Sequence, residues 1–166
     1  MDLNAFYGVV SAINFTLLGL WWVAMRDRPE VGDRGASGRR MAYLVSLQFL
    51  IPGTMALLSQ VAPDVPALWR SSFAIAGIAG AIGVILLAPM VDRIRDGGLV
   101  AAALRFIVAP LYAVVAVVAL FPGLPKALHL GLTPLQVEGI LLCLLVFLGV
   151  QIAWAVHMAP RPESES

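Results

Sequence analysis

Five apolar blocks decide what this chain can fold into: residues 5–25, 41–61, 71–91, 99–121 and 135–157. Each reaches the roughly 20 residues that an α-helix needs to cross about 30 Å of hydrocarbon. Lipid offers no partner to a backbone N–H or C=O, so a lone segment can cross only as a helix, which satisfies those groups internally. Together the blocks take two-thirds of the 166 residues. No separate soluble domain fits in what remains. The expected fold is an all-α integral membrane protein, a five-helix transmembrane bundle forming one domain over residues 1–158. Pro160 and Pro162 should stop the last helix, leaving 159–166 as a disordered cytoplasmic tail.

Composition agrees with this class and removes others. Hydrophobic residues make up 60% of the chain and charged residues 13%, against about 45–50% and about 25% in a soluble domain. The net charge of +1 and the lack of a basic stripe argue against nucleic acid as a partner. The one cysteine, Cys143, lies in the fifth block, so no intrachain disulfide can form. A small buried or lipid-facing residue is the simplest account of it. The chain opens Met1-Asp2-Leu3-Asn4 with no basic stretch ahead of the first block, which reads as a retained span rather than a signal peptide.

Arginine placement suggests an orientation. Arg26, Arg28, Arg34, Arg39 and Arg40 fall between blocks one and two, Arg93 and Arg95 between three and four, and Arg161 in the tail. The other side holds only Arg70 and Lys126. By the positive-inside rule the arginine-rich connections and the carboxyl terminus are cytoplasmic and the amino terminus is outside. Ten of the eleven basic residues are Arg, a habit of GC-rich genomes that points to a bacterial cytoplasmic membrane. Residues 26–40, with Pro29, Gly32, Gly35 and Gly38, read as a mobile loop. Ala62-Pro63-Asp64-Val65-Pro66 reads as a tight outer turn, and a second outer connection begins at Phe121-Pro122-Gly123. Trp21, Trp22, Tyr43, Trp69 and Trp154 lie near block ends, where aromatic rings anchor helices at the interface.

The third block is the expected centre of the bundle. Between Ala74 and Gly83 only Ile75, Ile78 and Ile82 are large, and they share one helical face. Ala76, Gly77, Ala79, Gly80 and Gly83 are the expected packing residues, with Ala76/Gly80 and Ala79/Gly83 as small-xxx-small pairs that let backbones approach. The partner could be the first helix, the fourth, or the same helix of another copy.

Polar residues within the blocks are the only functional signal. Arg105 lies seven residues past Gly98, hence about 10 Å deep at 1.5 Å per residue. Gln48 and Gln151 fall at a similar depth, and Asn4, Tyr7, Ser11 and Asn14 form one narrow stripe on the first helix. Arg105 is spaced to share a face with Ala109, Tyr112 and Ala116. Arg105, Gln48, Gln151 and Asn14 are therefore the candidate intramembrane polar layer. Such a layer could line an anion-attracting cavity; the plainer reading is that Arg105 snorkels to the headgroups while the amides bond helices together. Glu138, near the outer end of the fifth helix, reads as a wet interfacial carboxylate. Pro52 and Pro110 should kink the second and fourth helices.

No catalytic, cofactor or metal site is expected. His129 and His157 fall on opposite sides of the bilayer and cannot share a haem, and no His/Cys/Asp/Glu cluster is visible. Asn14-Phe15-Thr16 matches a glycosylation acceptor only in letters, because it lies within a span. Nucleophile and zinc-hydrolase motifs are missing. The expected function is that of an accessory or scaffold subunit binding partner helices in the lipid bilayer, as a homo-oligomer or with other membrane subunits. An oligomeric small channel or transporter built around Arg105 is the alternative.

Overall fold

The computed structural model describes residues 2–26, 35–61, 65–93 and 97–158, and among them it is all-helical. α1 runs Leu3–Arg26, α2 Gly35–Val61, α3 Pro66–Asp92 and α4 Gly98–Leu120; a single turn, α5, covers Leu124–Ala127, and α6 runs Pro134–His157. All but α5 are long and apolar enough to cross a membrane, which makes this a small multi-pass membrane protein by length and composition. The tail 159–166, the loop 27–34 between α1 and α2, residues 62–64 of the expected outer turn and residues 94–96 with Arg95 lie outside the described residues.

Two helix starts are written in the sequence. Asp2 Oδ1 accepts from the N–H groups of Asn4 and Ala5, at 3.0 and 3.2 Å, and so caps α1. Thr133 and Gln136 form a reciprocal capping box at α6, with Pro134 in the first turn. Other boundaries differ from the apolar blocks. α2 begins at Gly35, so Arg39 and Arg40 are helical rather than part of a loop. α3 begins at Pro66, so Trp69 is inside a helix and buried, edge-on to Phe73 at 6.0 Å. Trp21 is also buried, with its indole N–H donating to the Ala42 carbonyl at 3.0 Å. Trp22, Tyr43 and Trp154 do face outward. A helix need not end where lipid ends, and an indole with a carbonyl in reach is better placed inside than at the rim.

Neighbours in sequence pack antiparallel. Trp21 meets Ala42 while a Cβ on Gly8 would touch Gln60, which fixes α1 against α2. Arg70 donates from Nε and Nη2 to the carbonyls of Ala119 and Leu120, at 2.9 and 3.0 Å, which fixes the start of α3 to the end of α4 and supplies donors to open carbonyls at a helix end. Tyr7 reaches Leu135, so α1 and α6 run parallel. Arg26, Arg39, Arg40 and Arg93 thus share one end of the bundle, and Arg70 and Lys126 the other.

The centre is α2, not α3. In α2's most apolar stretch 61% of residues are buried, against 44% in α3 and 28% in α1. α2 touches α1, α3 and α6, whereas α3 leaves Ile75, Ile78 and Ile82 on the outside. The small residues of α3 serve chiefly one neighbour, α4. A Cβ at Gly80 would stand 2.4 Å from the Tyr112 ring, and one at Gly77 2.8 Å from the backbone of Tyr112 and Ala116. The buried seam runs Phe73, Gly77, Gly80, Val84, Leu87, Val91, alternating steps of four and three. This phase differs from the small-xxx-small pairs. Ala79 is exposed, Ala76 is half-buried, and Gly83 is buried with Leu47 of α2 a comfortable 3.8 Å from where its Cβ would be.

Gly80→Leu should lower unfolding free energy in detergent by about 3 kcal/mol or abolish folding, because the new side chain falls on the Tyr112 ring. Ile78→Leu, on the outward face, should stay within about 0.5 kcal/mol of the parent. Thermal or SDS denaturation of the two purified variants checks this, and equal damage from both would contradict the assignment of faces.

Candidate functional site

The interior at the α1–α2–α6 junction is polar, and periodicity puts it there. Along α1 the inward residues Tyr7, Ser11, Asn14 and Trp21 fall on one seam, while Asn4, the fourth member of the polar stripe, is exposed. The Tyr7 hydroxyl donates to the Leu135 carbonyl at 2.7 Å and Ser11 Oγ to the Gly53 carbonyl at 3.2 Å. Asn14 Nδ2 donates to the Val10 carbonyl at 2.8 Å, leaving Oδ1 buried without a partner. Its Cβ lies 3.0 Å from where a Cβ on Gly53 would be, so α1 and α2 touch at this level.

Gln48 is 1% exposed, and its Nε2 has no partner. Pro52 cannot donate to the carbonyl four residues back, which is that of Gln48. Opposite that carbonyl lies Gly149 of α6, whose missing side chain lets the two backbones approach; a Cβ there would sit 3.5 Å from the Gln48 oxygen. Gln48 and Gly53 are about 140° apart around α2 at 100° per residue. Gln48 therefore faces α6 while Asn14 meets α2 on its α1 side.

Glu138 corrects the sequence reading most sharply. It is 0% exposed, and neither carboxyl oxygen has a partner among the described residues. A wet interfacial carboxylate it is not. The buried residues Glu138, Leu142, Leu145, Gly149, Ile152 and Val156 alternate steps of four and three along α6, so Glu138 occupies a seam position. That spacing was visible in the sequence; depth counted from the block end hid it. Phe6 closes over the neighbouring Gly139, where a Cβ would be 2.9 Å from the ring. Phe6, Tyr7, Phe73 and Trp69 stack edge to face in a chain, with centroids 5.4 to 6.2 Å apart.

Arg105 and Gln151 lie outside the bundle, so the four-residue layer is split: Asn14 and Gln48 within, Arg105 and Gln151 on the outer surface. The cause for Arg105 is a π-turn at Leu104–Val108, where the Ala109 N–H reaches the Leu104 carbonyl five residues back. Pro110 follows directly, and a wide turn relieves the clash its ring would make with a preceding carbonyl. The turn inserts one residue into the phase of α4. Ala109, Tyr112 and Ala116 stay buried, but Leu104 and Val108 take the inner positions above them, and Phe106 is 78% exposed. Neither the Arg105 nor the Gln151 side chain makes a hydrogen bond or ion pair within the described residues.

Two apolar grooves lie along the α1–α6 seam, one of 310 Å³ bounded by Leu3, Phe6, Gly139 and Cys143, the other of 220 Å³ bounded by Leu17, Trp21, Phe49 and Trp154. No group of three metal-ligating side chains occurs among the described residues. No known protein family, curated protein or solved structure matches this chain.

Tyr7→Phe removes the hydroxyl that ties α1 to α6, and should cost about 0.6 kcal/mol and no more than about 1.7. Gln48→Met, which removes an amide donor without a partner, should cost nothing measurable in the same SDS titration. A larger loss from Gln48→Met than from Tyr7→Phe would contradict this geometry.

Proposed function

We propose that this protein is a subunit that binds partner helices within the membrane, held in a bacterial cytoplasmic membrane with its amino terminus outside and its carboxyl terminus in the cytoplasm. The observation that carries the reading is the outward placement of Arg105 and Gln151. A guanidinium some 10 Å into the bilayer is costly unless it snorkels or is paired, and an amide on a short stem reaches the headgroups less readily. Between transmembrane helices such groups find hydrogen-bond partners. The chemistry that fits is a helix, of another subunit or another copy, bringing a carboxylate or carbonyl to the arginine-rich half. A channel lined by Arg105 within one bundle loses its support, since Arg105 points away from the interior. The reading assigns no catalytic role.

The mass of the particle solubilised in mild detergent tests the proposal. It should exceed that of one 17.7 kDa chain plus detergent, and Arg105→Ala combined with Gln151→Ala should reduce it to a folded monomer. A monomeric parent protein, or an assembly indifferent to both changes, would contradict it.

Orientation has its own test. A phosphatase reporter, active only outside the cytoplasm, should be inactive when fused after Ser166 and active when fused within residues 122–133. The reverse pattern would overturn the arginine-based topology.

A further inference from the structure

Glu138 remains unused by partner binding, since it is wholly enclosed. An ionisable side chain inside a span is costly and marks a functional site by default. The other buried polar residues described are Ser11, Asn14, Ser46, Gln48 and Ser59, none of them cationic, so no side chain of the interior offers Glu138 a counter-charge. The titratable groups around this core are Tyr7 on α1, Tyr112 on α4 and Cys143 on α6 itself; α2 contributes the neutral Ser59 and Gln60, and α3 contributes Trp69, Phe73 and, at the same end of the bundle, Arg70, whose guanidinium donates to the carbonyls of Ala119 and Leu120. Tyr7 reaches across to α6 itself. Its hydroxyl bonds the carbonyl of Leu135, one turn before Glu138, so an acceptor lone pair stands at the same level.

From there the polar groups descend by turns. Ser11 and Asn14 follow Tyr7 at i+4 and i+7, about 6 and 10 Å further along α1. Gln48 lies about 7.5 Å further along α2 from Gly53 but about 140° around it, facing α6, and so stands apart from this series. Along this series both oxygens of Glu138 and Oδ1 of Asn14 have no partner among the described residues; Nε2 of Gln48 and the Tyr112 hydroxyl, which lie off it, have none either. Spaced polar atoms of this kind are the ones that buried water satisfies.

We propose that Glu138 is a proton-binding site, and that Tyr7, Ser11 and Asn14 extend from it down the inner face of α1 as a hydrogen-bonding file that conducts protons between Glu138 and the middle of the bundle. The chemistry is the making and breaking of one O–H bond. A proton adds to a carboxylate oxygen of Glu138 and later leaves it for the next acceptor, with no other bond changed. The Asn14 amide does not take the proton; it positions the acceptors that pass it. The proposal is independent of whether a partner covers Arg105, which lies on the outer surface of α4.

The test uses the full chain in liposomes carrying a trapped pH-sensitive dye, with an imposed pH gradient and with potassium and valinomycin to clamp the voltage. The parent protein should dissipate the gradient at least tenfold faster than protein-free liposomes, Glu138→Gln should abolish the excess rate, and Glu138→Asp should retain part of it. Asn14→Leu should slow the flux while leaving Glu138 in place. A second measurement needs no variant. Dicyclohexylcarbodiimide forms a bond from its central carbon to a carboxyl oxygen while taking that carboxyl's proton onto nitrogen, and peptide mass analysis of the parent protein should find the adduct at Glu138. No flux above empty liposomes, flux unchanged in Glu138→Gln, or dissipation driven by a sodium or potassium gradient instead of a proton gradient would each overturn the proposal, as would an unmodified Glu138.

Discussion

Position 80 has no side chain, and the ring of Tyr112 occupies the place where one would be. Lipid supplies no hydrophobic drive for helices to associate, so close van der Waals contact must hold them, and here that contact fixes the face α4 turns toward α3. With Tyr112 committed inward, Ala109 and Ala116 follow. The part of α4 before Pro110 must then satisfy its own packing around a proline that donates no hydrogen bond. The π-turn reconciles the two, burying Leu104 and Val108 and sending Arg105 and Phe106 outside. One missing side chain and one missing N–H thus determine where the charge in the fourth span points.

The same logic governs the other side of the bundle. Pro52 leaves the Gln48 carbonyl without its helical donor, and Gly149 lets α6 come close there. α2 can be central because its neighbours meet it at residues that take little room, Gly8 from α1 and Gly149 from α6, and because its own Gly53 receives Asn14. Tyr7 and Ser11 each donate to a backbone carbonyl of a neighbouring helix, so the first span, the least buried, is nonetheless tied at two levels. Among the buried groups of the described residues Glu138 is the one carboxylate, which sets it apart from the amides and hydroxyls around it.

The five spans were legible because apolar length is a one-dimensional property, and the isoleucine face of α3 because a stripe of large residues beside small ones has only one economical placement. Contacts were less legible. The small residues between Ala74 and Gly83 are so dense that several pairings look alike, and only the full seam from Phe73 to Val91 separates Gly77 and Gly80 from Ala79. Arg105 was misplaced because face counting assumes 3.6 residues per turn throughout, and Pro110 signalled a break without its form. Glu138 was misjudged because depth says nothing about cover: Phe6 packs on the adjacent Gly139, and a seam spacing shared with Gly149 places the carboxyl inside.

The phase of α4 is the point on which the placement of Arg105 turns, and single cysteines report it directly. In a Cys143→Ser background, cysteines placed one at a time from residue 101 to 116 in the purified chain, reconstituted at a high lipid-to-protein ratio so that no partner covers α4, would be exposed to a lipid-dissolved diazirine whose photogenerated carbene inserts into an S–H bond without needing a thiolate. The account predicts reaction at 105, 106 and 107 and protection at 104, 108, 109, 112 and 116. Protection at 105 together with 109, 112 and 116, with reaction at 104 and 108, would mean an unbroken α-helix with Arg105 inside the bundle, and would contradict it.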